Sequence, residues 1–375
     1  MTSPVAHASV AVNLLWISPG RVGGSEQYLH RQLLGLATVG VRTRVHCTRA
    51  FAAAHPELGR HHDLVVAPGG RDVRAGRVLA EHSLLAVRTR RADLVHHGGG
   101  TAPLVGRRPI VLTVHDLQYL AFPQYFSAAR RSYLAAMMPR SVARASVVTV
   151  PSEFVRHTVV DAFDIDPEQV VVVPHGVPET VRPDVDDIAV ARRDLGLGDR
   201  PYVVYPAITH PHKGHQVLVD MLDHLSGEID LVLLGGAGAA ESAVTAAIAA
   251  SSHRSVIHRP GRVHDRCLDA LLAGADALVF PSEYEGFGAP LVEAMAAGVP
   301  VVCSDAAAVT EVVDGAAVVV GARSGEAWAD GVREALRRRE ELVALGAARR
   351  AAFTVERSGA ALTAAYGAAL DRTRS

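Results

Sequence analysis

Lysine is almost absent from this chain of 375 residues: of its 38 lysines and arginines, Lys213 is the one lysine. An excess of charge of one sign is missing too, because acidic and basic side chains nearly cancel to a formal net charge of −1. A nucleic-acid-binding protein would carry a large basic excess, so we expect no nucleic-acid partner. Aromatic residues form 5% of the chain and hydrophobic residues 49%, which is typical of a folded globular protein.

Cysteines and long apolar runs are also scarce. The three cysteines, Cys47, Cys267 and Cys303, are odd in number and far apart, which argues against a disulfide framework and a paired zinc-binding spacing. A reducing cytoplasm is the expected setting. The first residues lack a signal-peptide pattern, and no apolar run is long enough to span a bilayer. We therefore expect a cytoplasmic protein whose membrane contact, if it has one, is peripheral and at the inner face.

The one lysine lies in HPHKGH, residues 210–215. A chain that uses arginine for generic positive charge could hold one lysine by accident. Alternatively, a tight site can require a compact point charge against a phosphate oxygen, which the planar guanidinium of arginine does not provide. The flanking histidines and glycine indicate a loop that begins a helix, and we favour the functional explanation.

Two successive sets of short apolar runs alternate with helix-length segments. Such runs are typical of buried parallel strands, and the alternation predicts an α/β protein with two doubly wound Rossmann-like domains. Two such domains facing each other would form a central cleft, with ligands beyond the carboxyl ends of the strands. The predicted strands are residues 9–17, 41–48, 93–97, 109–115, 145–152, 201–207, 229–236, 255–261, 277–282 and 300–305.

The length of the chain also favours two domains. A stretch rich in Pro, Asp and Gly lies between the two sets of strands and is the best linker candidate. The predicted division is an N-terminal domain over 1–180, a linker over 181–200, a C-terminal domain over 201–354 and a last helix over 355–375.

Residues 280–305, FPSEYEGFGAPLVEAMAAGVPVVCSD, place two carboxylates around the start of a predicted helix. Pro290 suits its first turn, and the N–H groups at such a helix start can bind phosphate or sugar oxygens. Glu285 in the turn and Glu293 inside the helix suit sugar and ribose hydroxyls. The alternatives are structural: Glu285 could complete a cap with Ser282, and Glu293 could complement the helix dipole.

Glu285, seven intervening residues and Glu293 form a pattern that resembles the signature of the family 4 retaining glycosyltransferases. Further segments resemble that family in its usual order and extend over nearly the whole chain: residues 23–28, 115–126, 150–159, 172–177, 205–215 and 260–282. The resemblance implies the GT-B fold, with an acceptor-side N-terminal domain, a C-terminal domain that binds the nucleotide sugar, and a last helix that crosses back to the N-terminal domain.

The resemblance also implies a donor site. Lys213 matches the lysine that neutralises the departing diphosphate, Glu285 the residue that contacts donor-sugar hydroxyls, and Glu293 the one that holds the ribose. His115 matches an active-site histidine near the transferred sugar. Further donor-binding positions are the glycine loop at Gly23 and Gly24, the backbone at Val263, and the helix start at Gly286, Phe287 and Gly288.

One segment departs from the family pattern. Many members have an arginine a few residues before the lysine, whereas this chain has His210 and His212 there. In this it is similar to a subgroup that includes mannosyltransferases using GDP-mannose. His212 is a candidate for meeting the second phosphate charge, and a solvent-facing loop histidine is the alternative.

These features lead us to expect retaining transfer of a hexose from a nucleotide diphosphate sugar to a hydroxyl of a glycan, glycolipid or small-molecule acceptor. Breaking the sugar–phosphate bond leaves negative charge on the diphosphate, which Lys213, the helix start after Glu285 and the glycine loop can stabilise. Neither a metal nor a cofactor is expected. The resemblance implies a front-face mechanism in which the leaving phosphate helps to deprotonate the acceptor.

Other classes of protein were weighed against this expectation. Residues 184–186, DVD, imitate a metal-binding acid pair, but a solvated turn explains them better. Residues 233–242, LLGGAGAAES, imitate a dinucleotide fingerprint but lack its glycine spacing and its later acid, which disfavours an NAD(P)-dependent oxidoreductase. A non-catalytic sugar-nucleotide-binding module would keep Glu293, with less reason to keep Lys213 and His115.

Residues 126–146 mix basic and apolar side chains, and two interpretations stay open. The segment could lie on an anionic membrane that carries a lipid-linked acceptor. It could instead be a solvated helix that packs its methionines into the core. The residues concerned are Arg130, Arg131, Arg140, Arg144, Tyr133, Leu134, Met137 and Met138.

Overall fold

Runs of valine, isoleucine and leucine form the strands of two parallel β-sheets. The structure is a computed structural model that describes residue 5 and residues 7–20, 23–67, 85–106, 109–179 and 183–373. The chain divides into two units, the first made of Met1–Pro178 with Phe353–Ser375 and the second of Glu179–Ala352. Each unit has its own sheet with helices packed on it, which confirms the predicted α/β class.

The strands of the first unit are β1 (Val10–Asn13), β2 (Arg44–Cys47), β3 (Asp63–Val66), β4 (Leu94–His97), β5 (Ile110–Thr113), β6 (Val147–Val150) and β7 (Val170–Val172). Its helices up to the second unit are α1 (Gly24–Thr38), α2 (Arg49–Ala54), α3 (Ala86–Arg88), α4 (Gln118–Ala121), α5 (Ala128–Arg144) and α6 (Glu153–Phe163). The sheet order is β3-β2-β1-β4-β5-β6-β7, and every neighbouring pair is parallel. Strands β1, β4, β5 and β6 are buried along their whole length, as their continuous apolar sequences predict.

The second unit has the strands β8 (Tyr202–Pro206), β9 (Asp230–Leu234), β10 (Ile257–Gly261), β11 (Ala277–Phe280), β12 (Val301–Ser304) and β13 (Val318–Val320). Its helices are α7 (Val185–Asp194), α8 (His215–His224), α9 (Glu241–Ala250), α10 (Asp265–Ala273), α11 (Ala289–Ala297), α12 (Ala307–Val313), α13 (Gly325–Arg337) and α14 (Arg339–Arg350). The sheet is again parallel, in the order β10-β9-β8-β11-β12-β13.

Both sheets therefore share one topology. Counted from the first strand of each unit, six strands in each sheet follow the order 3-2-1-4-5-6 of the Rossmann fold. The strand order reverses between β1 and β4 in the first unit and between β8 and β11 in the second. Ligands of open α/β sheets bind beyond the carboxyl ends of the strands at such a reversal, so the topology alone selects two places for functional residues.

The last helix, α15 (Val355–Asp371), packs on α1 in the first unit. The two helices approach closely because glycines face each other: a Cβ added at Gly359 would lie 2.0 Å from the carbonyl oxygen of Gly35. The buried Tyr366 hydroxyl also lies 2.8 Å from Nδ1 of His96 on β4. The carboxyl-terminal segment is thus part of the core of the first unit.

The expected linker over 181–200 is corrected by the structure. From residue 183 onward this segment belongs to the second unit, and α7 within it packs on α10. Its composition is that of a capped helix, since Asp184 accepts a hydrogen bond from the N–H of Asp187 at 2.7 Å. The later boundary also shifts, from 354/355 to 352/353, because the carbonyl oxygen of Phe353 accepts a hydrogen bond from the N–H of Val177 at 2.8 Å.

Candidate active site

Lys213 and Glu285 meet at the reversal of strand order in the second sheet. Lys213 lies in the turn after β8, Glu285 lies in the turn after β11, and these two strands are neighbours. Lys213 Nζ is 2.5 Å from Glu285 Oε1, and the two side chains are 19% and 14% exposed. The ion pair is therefore mostly shielded from water. Electrostatic interactions are stronger in such a shielded place than at the surface.

The turn that carries Lys213 is a short 3-10 helix, Pro211–Lys213, that Gly214 ends in a left-handed conformation. Glycine is required here, because its φ is 65° and a Cβ would lie 2.7 Å from the carbonyl oxygen of Pro281 in the other turn. The N–H of Glu283 donates to the carbonyl oxygen of His212 at 2.8 Å. The backbones of the two turns are thus in direct contact.

Tyr205, at the end of β8, connects the same two turns through its hydroxyl. Its hydroxyl donates to the carbonyl oxygen of Lys213 at 2.8 Å and lies 2.9 Å from Oγ of Ser282. Burial, with a smaller contribution from Glu285, raises the pKa of Tyr205 well above its usual value, so the hydroxyl stays a donor. Ser304 Oγ in turn donates to the carbonyl oxygen of Ser282 at 2.5 Å.

The hydrogen bonds of Tyr205 and Ser282 were not predicted from the sequence. Tyr205 falls inside an apolar run, where only its hydroxyl could have marked it as different. Ser282 was weighed as a capping partner of Glu285, but its hydroxyl lies against Tyr205 and the Glu285 carboxylate against Lys213. The capping alternative for Glu285 is therefore wrong.

The helix start after Glu285 is formed as the sequence predicts. Gly288 is the N-cap of α11, with a left-handed φ of 95°, and Pro290 lies in the first turn. Phe287 is buried, which places Gly286 and Gly288 on either side of an anchored side chain. Glu293 lies in the second turn of α11 and is half-buried. The first N–H groups of a helix lack acceptors within the helix, so this end of α11 suits anionic or hydroxyl oxygens.

His212 is buried, and this overturns the alternative of a solvent-facing loop histidine. Burial, then the charge of Lys213 and two neighbouring histidines, lowers the pKa of His212 to about 3. The imidazole is therefore neutral near pH 7. It can serve a phosphate oxygen as a hydrogen-bond donor but does not supply a second positive charge.

Val263 lies between β10 and α10, in the turn that follows the carboxyl end of β10. Its side chain is half-buried. In a parallel sheet the carboxyl ends of all strands lie at one edge, so Val263 shares that edge with Lys213 and Glu285. The donor-site residues predicted in the second unit thus lie in three segments, after β8, β10 and β11, at the same edge of the sheet.

The remaining predicted residues, Gly23, Gly24 and His115, belong to the first unit. Gly23 precedes α1 with φ 60° and ψ −135°, a conformation almost restricted to glycine, and Gly24 is the first residue of that helix. His115 follows β5, and its Nε2 donates to the carbonyl oxygen of Gly98 at 2.8 Å. Burial lowers the pKa of His115, so it is neutral near pH 7.

Helix α5 agrees in part with the second interpretation of residues 126–146, a solvated helix that packs its methionines into the core. Met138 is buried in the core of the first unit, whereas Arg130, Arg131 and Arg140 are exposed. Exposure of these arginines is compatible with both interpretations, so peripheral membrane contact stays a prediction. Among the residues that the structure describes, none of the helices has the length and apolar character needed to cross a bilayer.

The fold is that of solved GT-B glycosyltransferases. HepE from Anabaena, in complex with UDP and glucose, superposes with a TM-score of 0.76 at 20% identity, over 95% of this chain and 98% of that one. Sucrose-phosphate synthase from Thermosynechococcus elongatus superposes with a TM-score of 0.75 at 19% identity, over 96% and 98% of the two chains. These likenesses establish the class of fold.

The family follows from the sequence of each unit. Residues 187–351 match the model described as Glycosyl transferases group 1, and residues 22–181 match the model described as Glycosyltransferase Family 4. The two matches fall one on each unit and together span most of the chain. The chain therefore belongs to the group 1 and family 4 glycosyltransferases.

Curated relatives are similar over parts of the chain. The O-antigen chain mannosyltransferase B of Escherichia coli is 26% identical over 55% of this chain and 55% of its own length. The D-inositol 3-phosphate glycosyltransferase of Xylanimonas cellulosilytica is 34% identical over 42% of each. The match thus spans about half the length of these relatives. A GDP-mannose-dependent phosphatidylinositol monomannoside mannosyltransferase of Mycolicibacterium smegmatis is 27% identical over 75% of this chain and 76% of its own.

Proposed function

We propose that this chain is a metal-independent, retaining hexosyltransferase that uses a nucleotide diphosphate sugar, with GDP-mannose as the first candidate donor. The acceptor is a hydroxyl of a glycan, a lipid-linked glycan or a small molecule. The observation that carries the proposal is the shielded Lys213–Glu285 pair at the reversal of strand order in the second sheet.

Lys213 supplies charge where the leaving group needs it. Departure of the sugar leaves negative charge on the diphosphate, and a cation already held in place stabilises that charge without reorganising at the moment of reaction. Gly214 and Tyr205 fix the backbone around Lys213, so that the ammonium is the mobile part. The start of α11 adds N–H donors at the same edge of the sheet.

Glu285 has two tasks in this proposal. Without donor, its carboxylate holds the Lys213 ammonium at 2.5 Å and compensates a shielded charge. When the diphosphate arrives, the ammonium gains a second anionic partner, and a carboxylate oxygen of Glu285 accepts a hydrogen bond from a sugar hydroxyl. Glu293 binds the ribose hydroxyls, and neutral His212 donates a hydrogen bond to the second phosphate.

The glycine loop supports a ligand at the start of α1. A Cβ added at Gly24 would meet no heavy atom within 4 Å, and its φ lies outside the left-handed range. Packing and backbone conformation therefore do not require glycine at this position. Close approach of a ligand to the backbone is the remaining physical reason for it.

The choice of mannose is supported by the names of the relatives. Mannosyltransferases occur among them with matches in Escherichia coli, Salmonella typhimurium and two species of Mycolicibacterium. GDP-mannose is named for one of these. UDP-sugars are the second candidate, because HepE, whose fold this chain shares, was solved with UDP and glucose.

A donor panel tests the proposal. The purified chain is incubated with GDP-mannose, UDP-glucose, ADP-glucose, NADH or NADPH in EDTA, and both the melting temperature and released nucleoside diphosphate are measured. A true donor raises the melting temperature by mass action and releases its nucleotide. Stabilisation without release, also in the presence of candidate acceptors, would indicate a binding module. Stabilisation by NADH or NADPH alone would contradict the proposal.

A further inference from the structure

Two histidines and a glutamate converge within the first unit. His30 lies on α1, His55 ends α2, and Glu57 lies in the short 3-10 helix Pro56–Arg60 that follows. One ligand atom from each lies within 4.8 Å of the others, and all three residues are half-buried. Among the described residues, no other group of three or more His, Cys, Asp or Glu side chains converges in this way.

The distances suit a small divalent cation. Glu57 Oε1 is 2.7 Å from His30 Nε2 and 3.8 Å from His55 Nδ1, and the two imidazole rings stack with their centroids 4.4 Å apart. Around a tetrahedral Zn²⁺ with bonds of about 2.0–2.1 Å, neighbouring ligand atoms are separated by about 3.3 Å. The Glu57–His30 contact, which is a hydrogen bond without an ion, would open by about 0.6 Å and the Glu57–His55 distance would close by about 0.5 Å, both within the reach of side-chain adjustment.

A buried carboxylate sets the proton on His55. Its Nε2 lies 2.9 Å from Oε1 of Glu26, whose side chain is 9% exposed. With Nε2 donating to Glu26, Nδ1 of a neutral His55 carries a lone pair. Nδ1 lies 3.8 Å from Oε1 of Glu57, the carboxylate oxygen that His30 Nε2 also contacts at 2.7 Å, so the three candidate ligand atoms lie close together. Metal-binding histidines in proteins are oriented by carboxylates in the same way.

His30 is also suited to be a neutral ligand. Its side chain is 17% exposed, and burial disfavours the charged imidazolium. A neutral imidazole has a lone pair to offer a metal ion, whereas an imidazolium repels it. The Glu57 carboxylate supplies the negative charge.

We propose that His30, His55 and Glu57 bind one Zn²⁺ ion, with Glu26 as the orienting partner of His55. Two imidazoles and one carboxylate form a ligand set that zinc accepts, with a fourth position open to water. The ion serves structure, because the other oxygen of Glu26, Oε2, accepts a hydrogen bond from the N–H of Gly20 at 2.9 Å. Zinc, His55 and Glu26 thus stabilise the backbone at Gly20.

Isothermal titration with Zn²⁺ tests the site in the full chain, produced without a histidine tag and dialysed against EDTA. We expect one saturable equivalent in the wild type. His61→Ala is the matched control, because His61 is exposed in the same segment and outside the cluster; it should bind like the wild type. Glu57→Gln and His55→Ala should each lose at least a hundredfold in affinity, and Glu26→Gln about 10- to 100-fold.

Co²⁺ provides a second readout that does not depend on affinity alone. The Co²⁺-loaded wild type should show the visible absorption of a four-coordinate site, and Glu57→Gln should not. Circular dichroism checks that each variant is folded. If His55→Ala is unfolded, the test depends on Glu57→Gln, which keeps the size of the side chain. Equal Zn²⁺ affinity in the wild type and folded Glu57→Gln, or no saturable equivalent in the wild type, would overturn the proposal.

Discussion

Lys213 and Glu285 lie 72 positions apart in the sequence, and their side chains meet at 2.5 Å because β8 and β11 are neighbours in the second sheet. The contact forms at the one reversal of strand order in that sheet among the described residues. A lysine in the turn after one strand and a glutamate in the turn after the other can meet because the two strands are parallel neighbours, whose carboxyl ends lie at the same edge of the sheet. The pair therefore connects fold and proposed chemistry directly.

Replacing Lys213 should remove most of the transfer activity. We expect Lys213→Ala to lower kcat/KM by about 100- to 1000-fold, the effect of deleting one preorganised stabiliser of a developing charge. Lys213→Arg should recover little, because a guanidinium spreads its charge over a plane, whereas Lys213 places a compact charge 2.5 Å from Glu285 Oε1. Nucleotide release from the best donor measures both effects.

Arg254→Ala is the control for this prediction. Arg254 is exposed and precedes β10 at the opposite edge of the sheet, so its removal takes away a positive charge without touching the candidate site. Its kcat/KM should stay within about twofold of the wild type if specific placement matters. Near-normal turnover in Lys213→Arg would contradict the proposed role of the ammonium.

Tyr205→Phe should affect both stability and donor binding. Removing the hydroxyl leaves the carbonyl oxygen of Lys213 and Oγ of Ser282 without their shared partner, which destabilises the fold by about 1–3 kcal/mol. The two turns should also loosen, raising the Kd for the donor. Urea denaturation and titration calorimetry measure the two effects.

Tyr202→Phe provides the comparison. Tyr202 is equally buried, at the start of the same strand, and its hydroxyl donates to the carbonyl oxygen of Leu271 at 2.7 Å. It should lose a similar free energy of unfolding and keep the wild-type Kd for the donor. If both variants weaken donor binding equally, Tyr205 acts through general stability and does not position the turns.

The sequence predicted the interior of both sheets and missed three of their edges. Each of the ten predicted runs contains a strand, because central strands are buried on both faces and consist of continuous apolar residues. The strands that were missed, β3, β7 and β13, are all at sheet edges. These strands are only three or four residues long, so the valine runs of β7 and β13 and the DLVV of β3 are shorter than the runs that were recognised as strands.

The site was predicted unevenly for a related reason. Lys213 and Glu285 were found because a charged residue in a turn after a buried strand stands out in the sequence. Tyr205 and Ser282 were missed, since they connect residues 77 positions apart through hydrogen bonds that only the folded chain forms. Proline, aspartate and glycine around residues 183–200 suggested a linker because helix caps use the same residue types as loops.

Gly24→Ala should separate folding from function. The position is helical with open space around it, so alanine should leave stability unchanged or raise it by up to about 1 kcal/mol. Transfer should nevertheless fall, because a methyl group projects where a ligand would approach the backbone.

Gly359→Ala should instead destabilise the chain by about 1–3 kcal/mol or more, because at the α1–α15 contact its Cβ would lie 2.0 Å from a carbonyl oxygen. Thermal melts and nucleotide release on both variants provide the check; unchanged transfer in Gly24→Ala would remove the support for a ligand there.

Stability should fall as the pH decreases from about 6.5 toward 4, well before most carboxylates are protonated. Burial is the main cause that lowers the pKa of His212 and His96 to about 3 and of His215 and His46 to about 4. In the unfolded chain these groups titrate near pH 6.5. Between the folded and unfolded values the unfolded state therefore binds more protons, and each histidine makes unfolding easier by up to about 1.4 kcal/mol per pH unit.

Urea denaturation at pH 7.5, 6.5, 5.5 and 5.0 measures how steeply the free energy of unfolding falls with pH. A substitution of His46 should make this fall less steep. His46→Gln keeps a polar side chain on β2 of the first unit and removes one titrating group, so its free energy of unfolding should fall less steeply with pH than that of the wild type. His61→Gln, which removes an exposed histidine, should keep the wild-type slope. A wild-type stability that is flat between pH 7.5 and 5.0 would mean that these imidazoles gain protons in the folded state, and the neutral state assigned to His212 would then be wrong.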